Sequence, residues 1–343
     1  MTAVSVRAVA VAVLLSVLAA CTTPPARDEP ASAPATSTSD VTSKATSDAT
    51  GDVTAKGARA LVRDPQAARW QLIAAPQRAV TTTGELMPSP DTAPQDRGIA
   101  YERGCQAGPE ATTVPSNPCV LGDPDGEVEV VVLGDSKMLQ WLPAIEPIAR
   151  VEGWWVTILT KSACGLTLTG QYSACVTYNR ALLRDLSRPG HVPDLVLTSL
   201  GDDSTGPLAR DLAANLQRLQ SAGARIAPFA DNPAADRVRT RDNPGTVLTC
   251  VLAHRSDWSS CAYPRNDGRG TAALRQAAAL LDDVEVITVN RWICPTQRCP
   301  AAIGGVLVYR EGTHLTATYV ETLAAPLHRA LIDAGHASSD PLA

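Results

Sequence analysis

Short apolar runs and helical stretches alternate along most of this chain. Residues 128–135, VEVVVLGD, carry a continuous apolar run of strand length, the pattern of a strand buried on both faces of a parallel sheet. The following MLQWLPAIEPIARVEG reads as a helix closed near Gly153. WWVTILT (154–160) predicts a second strand and TYNRALLRDL (177–186) a second helix. PDLVLTSL (193–200) is a third strand, followed by a long helix through PLARDLAANLQRLQSAG, and ARIAPFAD (224–231) is a fourth strand. TAALRQAAALLDD (271–283) reads as a helix and VEVITVN (284–290) as a fifth strand. LTATYVETLAAPLHRALIDAG (315–335) closes the series as an amphipathic helix ending at Gly335. This succession predicts a three-layer α/β/α fold, flavodoxin-like, with a five-stranded parallel sheet in the order 2-1-3-4-5. In such sheets ligands bind beyond the carboxyl ends of the strands. That rule directs attention to residues 135–137, 161–165, 201–204 and 231–233, and to the loop before the last helix.

The first residues follow another pattern. Arg7 precedes an apolar run from Ala8 to Ala20, short for a bilayer span and of signal-peptide length. It ends in Leu18-Ala19-Ala20-Cys21, which resembles a bacterial lipobox. The resemblance implies a signal peptide at 1–20, cleavage before Cys21, and a lipid on that cysteine; ordinary secretion is the alternative. Each buried lipid CH₂ contributes about 0.8 kcal/mol, so several chains on one cysteine give a stable anchor. Residues 21–83 begin TTPPARDEPASAPATSTSD after Cys21, too polar to offset their ordering entropy, and read as a disordered tether. Within them 57–83 are ambiguous, since ARWQLIAAPQ has apolar character without a clear period. The folded domain is expected over 84–336, outside the cytoplasm and lipid-anchored to the bacterial cell membrane.

Composition narrows the partners. A net charge of -5 and 4% aromatic residues exclude a phosphate-backbone footprint or a base-stacking platform, so no nucleic acid is expected. Of nine cysteines, setting Cys21 aside leaves eight, at 105, 119, 164, 175, 250, 261, 294 and 299. An even number in an exported chain points to disulfides, although many pairings are formally open. The cysteines fall into near-neighbour couples beside predicted loops, so the pairs expected are Cys105–Cys119, Cys164–Cys175, Cys250–Cys261 and Cys294–Cys299. A zinc site is the weaker reading, because no Cys-x-x-Cys occurs and no His stands at ligand spacing. No metal and no other cofactor is expected.

Ser136 follows the first strand and opens a helix, where N–H groups can stabilise an oxyanion. Taken by itself, Asp135-Ser136 reads rather as a helix cap. His314 shifts that balance. It stands just before the final helix at the same sheet edge, where it can reach Ser136 as a general base. Glu311, three residues earlier, can orient the imidazole and stabilise its cation, or simply bond to the start of the last helix.

Together these stretches resemble the SGNH hydrolase superfamily, and more narrowly the extracytoplasmic SGNH domain of bacterial acyltransferase-3 (O-acyltransferase) proteins. The blocks that carry the resemblance are ERGC…NPCVLGDPDG, VVVLGDSKMLQWLPAIEPIA, TILTKSACGLT, PDLVLTSL, the DNP after the fourth strand, Cys250 with Cys261, and WICPTQRCPAAIGGVLVYREGTHLTATY. The resemblance implies metal-free acyl chemistry at sugar hydroxyls or O-acyl esters. Ser136 matches the nucleophile, His314 the base and Glu311 the acidic partner. The Ser136 N–H and the loop around Gly165 match oxyanion positions, with Asp135, Lys137 and Asp202 beside them.

Three departures stand out. Glu311 replaces the family's usual Asp. Lys137 replaces a frequent His; on a helix start it points about 100° from Ser136, which suggests a solvated side chain or a contact with an anionic substrate. Gly201-Asp202-Asp203 lacks the Asn that many relatives use for the oxyanion, and loss of one donor costs about 10²–10³ in turnover. The expected activity is that of a cell-surface serine esterase or O-acyltransferase on acylated envelope carbohydrate. The acyl group would go to water, or would be collected from a separate membrane acyl-donor protein. The alternative is a catalytically impaired, carbohydrate-binding lipoprotein that keeps the fold.

Overall fold

The apolar run at 130–133 becomes the middle of the sheet, and its alternation divides the protein into two cores. Val130 and Val132 pack on one side with Ile145, Ile148, Leu327 and Leu331, while Val131 and Leu133 pack on the other with Tyr178, Leu182, Leu212 and Leu216. Successive strand residues point to opposite faces, so one unbroken hydrophobic run serves both layers. The structure, a computed structural model, describes residues 55–63, 75–76, 85–201, 206–235 and 245–338. The expected signal peptide, Cys21 and most of the expected tether lie outside the described residues.

Five strands form the sheet: β1 (Cys119–Gly122), β2 (Val128–Gly134), β3 (Trp154–Thr160), β4 (Leu195–Ser199) and β5 (Arg225–Pro228), in the order β1-β3-β2-β4-β5. The four strands β2 to β5 are mutually parallel and lie in the predicted order, with helices over both faces. The fifth strand differs from expectation. It is β1, antiparallel to β3, and it is stapled by the Cys105–Cys119 disulfide. Residues 284–290, predicted as the fifth strand, contribute one parallel bridge, Ile287 to Phe229. The cause is visible in β5. The Phe229 N–H turns to Thr198 of β4, and the Ala230 N–H turns outward to Ile287. The next outward rung would come from residue 228, a proline with no N–H to give, so the ladder stops there.

Helix Leu142–Glu152 ends at Gly153, whose left-handed φ of 64° is a glycine cap. The long C-terminal helix of the sequence reading is two helices, Ala317–Glu321 and Ala324–Asp333. Part of the expected tether is not disordered. Residues Gly57–Leu61 form a 3-10 turn, and Ala58, Leu61 and Val62 are buried in the core below helix Ala317–Glu321, where the Ala58 N–H donates to Thr322 Oγ1 at 3.0 Å. Those three apolar side chains are what distinguish this stretch from the Ser/Thr/Pro-rich residues before it. All four expected disulfides are present: 105–119, 164–175, 250–261 and 294–299. Each closes a short loop, for which the chain-entropy model gives on the order of 3 kcal/mol. Among the described residues no helix is long and apolar enough to cross a membrane.

Candidate active site

Strand β2 ends at Gly134 with φ 121°, and a Cβ there would stand 2.7 Å from the Ser199 carbonyl of β4. Only glycine lets the two strands close together while the chain turns up toward the helix. Asp135 then caps the short helix Ser136–Leu139, one carboxylate oxygen accepting from the Lys137 N–H at 2.8 Å. Its other oxygen accepts from the Gly201 N–H at 3.0 Å, tying the β2 and β4 loops together. Burial pushes the Asp135 carboxyl up to about 6. The cap reading of Gly-Asp-Ser is therefore correct for Asp135, and this leaves Ser136 available.

Ser136 Oγ lies 2.9 Å from His314 Nε2, across a sequence separation of 178 residues. His314 heads a two-residue strand, His314–Leu315, that pairs antiparallel with Tyr309–Glu311. Desolvation, with Lys137, Arg310 and Arg97 nearby, holds its imidazole at about 3, so it is neutral and able to accept a proton at ordinary pH. Ser136 and His314 open onto a cleft of about 390 Å³ lined by Ala163, Gly165, Leu200, Gly201 and Arg269 among others. No acceptor among the described residues takes the N–H of Ser136 or of Gly165. The Gly165 carbonyl is held from behind by Asn179 Nδ2 at 2.8 Å, and the Cys164–Cys175 disulfide closes that loop.

Two expected residues sit differently. Glu311 faces His314 in the hairpin register, but its carboxylate is bonded to Arg310 and lies 3.6 Å from Arg97 Nη2. No Glu311–His314 hydrogen bond is present. Arg310 is itself buried, stacked 5.2 Å from the Tyr101 ring centre, and it outcompetes a neutral imidazole for the carboxylate. Lys137 is not solvated: it is 5% exposed, and its ammonium pairs with Asp231 Oδ1 at 2.9 Å. Helix geometry does turn it away from Ser136, but toward the interior beneath the His314 loop. Asp202 and Asp203 lie outside the described residues. Among the described residues no group of three or more His, Cys, Asp or Glu is placed to hold a metal ion.

Asp231 and Asn232 at the end of β5, Gln140, and Arg97 with Arg310 were not singled out as site residues. The DNP triplet marked the first two, as did its place at a carboxyl strand end. Arg97 carries no comparable local signal, because its role depends on a segment distant in sequence; Arg310 is adjacent to Glu311, but only its packing on Tyr101 buries it there.

The family model for the SGNH domain (fused to AT3 domains) matches residues 104–329. The chain belongs to that family. No curated protein sequence matches it. Among solved structures, it is similar to the periplasmic domain of a lipopolysaccharide acetyltransferase from Salmonella ser. Paratyphi A, with 12% identity over 61% of this chain and 85% of that one, at a TM-score of 0.46. It is also similar to a carbohydrate esterase family 2 enzyme with its carbohydrate binding domain from Corynascus thermopiles (Myceliophthora fergusii). That match has 15% identity over 64% of this chain and 69% of that one, at a TM-score of 0.34.

Proposed function

We propose that this SGNH-family chain is an extracytoplasmic serine esterase or O-acyltransferase acting on O-acyl groups of envelope carbohydrate. The observation that carries the reading is the 2.9 Å contact between Ser136 Oγ and a neutral His314 Nε2, at the mouth of a cleft beyond the carboxyl ends of β2 and β4. Ser136 Oγ attacks the ester carbonyl while His314 Nε2 takes its proton. The resulting oxyanion is received by the N–H groups of Ser136 and Gly165. Collapse breaks the bond to the sugar oxygen, which leaves with the proton from His314, and the acyl group stays on Ser136. Water, or a second sugar hydroxyl, then gives its proton to His314 and attacks the acyl-enzyme; the bond to Ser136 Oγ breaks, and His314 returns the proton to that oxygen, freeing Ser136. By its spacing before the histidine Glu311 would be the acidic partner, and its carboxylate is here bonded to Arg310 and close to Arg97. Four disulfides fit an oxidising compartment outside the cytoplasm. A lipid on Cys21 would keep the domain at the membrane, and a separate membrane protein could supply acyl groups for transfer.

The reading of an impaired, carbohydrate-binding protein draws on the same arginines, since a carboxylate engaged elsewhere gives the imidazolium no support. Acetate release separates the two. The purified chain is expected to hydrolyse p-nitrophenyl acetate and to release acetate from, or move it between, O-acetylated glycans. Binding of such a glycan with no turnover of either substrate would favour the impaired protein and overturn the proposal.

A further inference from the structure

We propose that Lys137 and Gln140 are positioning residues that fix His314 against Ser136 by gripping the backbone on both sides of the histidine. This inference rests on the reading of Ser136 and His314 as nucleophile and base. Lys137 and Gln140 stand three apart on the turn that begins with Ser136, and so project from one face of it. The Lys137 ammonium donates to Asn232 Oδ1 at 2.9 Å and to the Thr313 carbonyl at 2.8 Å, and its charge is paired with Asp231 Oδ1 at 2.9 Å. Thr313 immediately precedes His314. Gln140 holds the residue that follows it, its Oε1 accepting from the Leu315 N–H at 3.0 Å.

The two grips are cross-linked. Gln140 Nε2 donates to Asn232 Oδ1 at 2.9 Å, and Asn232 Nδ2 donates to the same Thr313 carbonyl at 2.8 Å. Asp231 is fixed in turn, its Oδ2 accepting from the Arg269 and Gly270 N–H groups at 2.9 and 3.3 Å. All four side chains are buried.

The arrangement does what the local hairpin cannot. A two-residue strand following Gly312, at φ 50°, defines the histidine's place poorly by itself. A buried ion pair adds little net stability over an apolar pair of like volume, whereas the directional hydrogen bonds from Lys137 to the Thr313 carbonyl and from the Leu315 N–H to Gln140 fix the backbone around His314. The helix that presents the nucleophile therefore sets the distance to its base through its own side chains.

Charge gives a second readout. The charged and titratable groups around His314 are Lys137 and Asp135 from the nucleophile helix, Arg310 and Glu311 from the hairpin, and Arg97 from the preceding loop. Asp231 lies behind Lys137, and Arg269 lines the cleft. Of these, Lys137, Arg310 and Arg97 oppose protonation of the imidazole. Removing the ammonium must therefore raise the pH at which His314 protonates.

The test uses Lys137→Met/Asp231→Asn, which removes both charges together, and the neutral change Gln140→Met. It follows kcat and KM on p-nitrophenyl acetate, with the His314 titration read by NMR and unfolding temperature as the control for folding. Both variants are expected to lower kcat by about 10²-fold, the scale of a 1 Å misplacement, with KM little changed. The His314 midpoint is expected to rise in the Lys137 variant and to stay in place in the Gln140 variant. Folded variants with wild-type kcat, or a Lys137 variant with an unmoved midpoint, overturn the inference. Wild-type turnover that survives Ser136→Ala overturns the functional reading instead, and the NMR titration then still decides whether Lys137 governs His314.

Discussion

Ser136→Ala, and separately His314→Ala, are expected to lower turnover of acetyl esters by about 10⁴-fold or more, without loss of fold. Ser136 and His314 act as one unit, so removing either costs nearly as much as removing both. The residual rate would come from binding and from the oxyanion N–H groups, which neither change touches. Ser136 is partly exposed, its side chain bonds only to His314 among the described residues, and His314 is held chiefly through the backbone of its neighbours. Neither truncation opens a core cavity. Glu311→Gln belongs in the same series and is expected to cost far less, about tenfold, because its carboxylate rests on Arg310 and Arg97 rather than on the imidazole. Steady-state kinetics of the three variants decides the matter. A Glu311 loss as large as that of His314 would mean that the carboxylate leaves the arginines during turnover.

The second large effect is resistance of the reaction to acid. An ordinary histidine base, with a pKa of about 6.5, loses its neutral form tenfold per pH unit below that value. His314 is held at about 3 by burial and by three nearby cations, so its basic form persists through the whole mildly acidic range. The sign is fixed: the neutral base is present above its pKa and lost below it. Asp135, beside the nucleophile, also titrates in this range, pushed up to about 6 by burial. Its protonation takes an acceptor from the Lys137 or the Gly201 N–H and slackens the cap without removing the nucleophile or the base. The profile of kcat/KM is therefore expected to fall no more than a few-fold through pH 6, and to collapse only as pH approaches 3. A tenfold fall per unit beginning near 6.5 would show an imidazole free of those cations.

The layered α/β architecture, the order of four strands and the edge that carries the site were readable because each rests on a local pattern. VEVVVLGD has to be buried on both faces, and a Ser and a His at the carboxyl end of one sheet are brought together by topology. The near-neighbour cysteines paired as expected for the same reason, since each loop is short. Four features were not readable, and each depends on a partner that its own local pattern does not reveal. The edge strand at 119–122 has no alternation to mark it and is fixed by β3 and a disulfide. The strand at 284–290 has a suitable pattern, yet it is cut short by a proline in its neighbour. Lys137 looked like a surface residue because the one carboxylate close to it in the chain, Asp135, caps the helix backbone, and the counter-ion of its ammonium, Asp231, comes from beyond the end of β5. Glu311 pairs with His314 across the hairpin, but its spacing could not reveal that Arg97 and Arg310 converge on its carboxylate.

The central claim is that an acyl group passes through Ser136. Mixing the chain with p-nitrophenyl acetate, quenching in acid within the first turnovers and mapping the peptides by mass spectrometry tests it directly. One acetyl group is expected on the peptide containing Ser136, absent from the Ser136→Ala chain and no longer formed at a measurable rate in His314→Ala. Acetyl carried on another residue while turnover proceeds, or turnover with Ser136 never modified, would contradict the account.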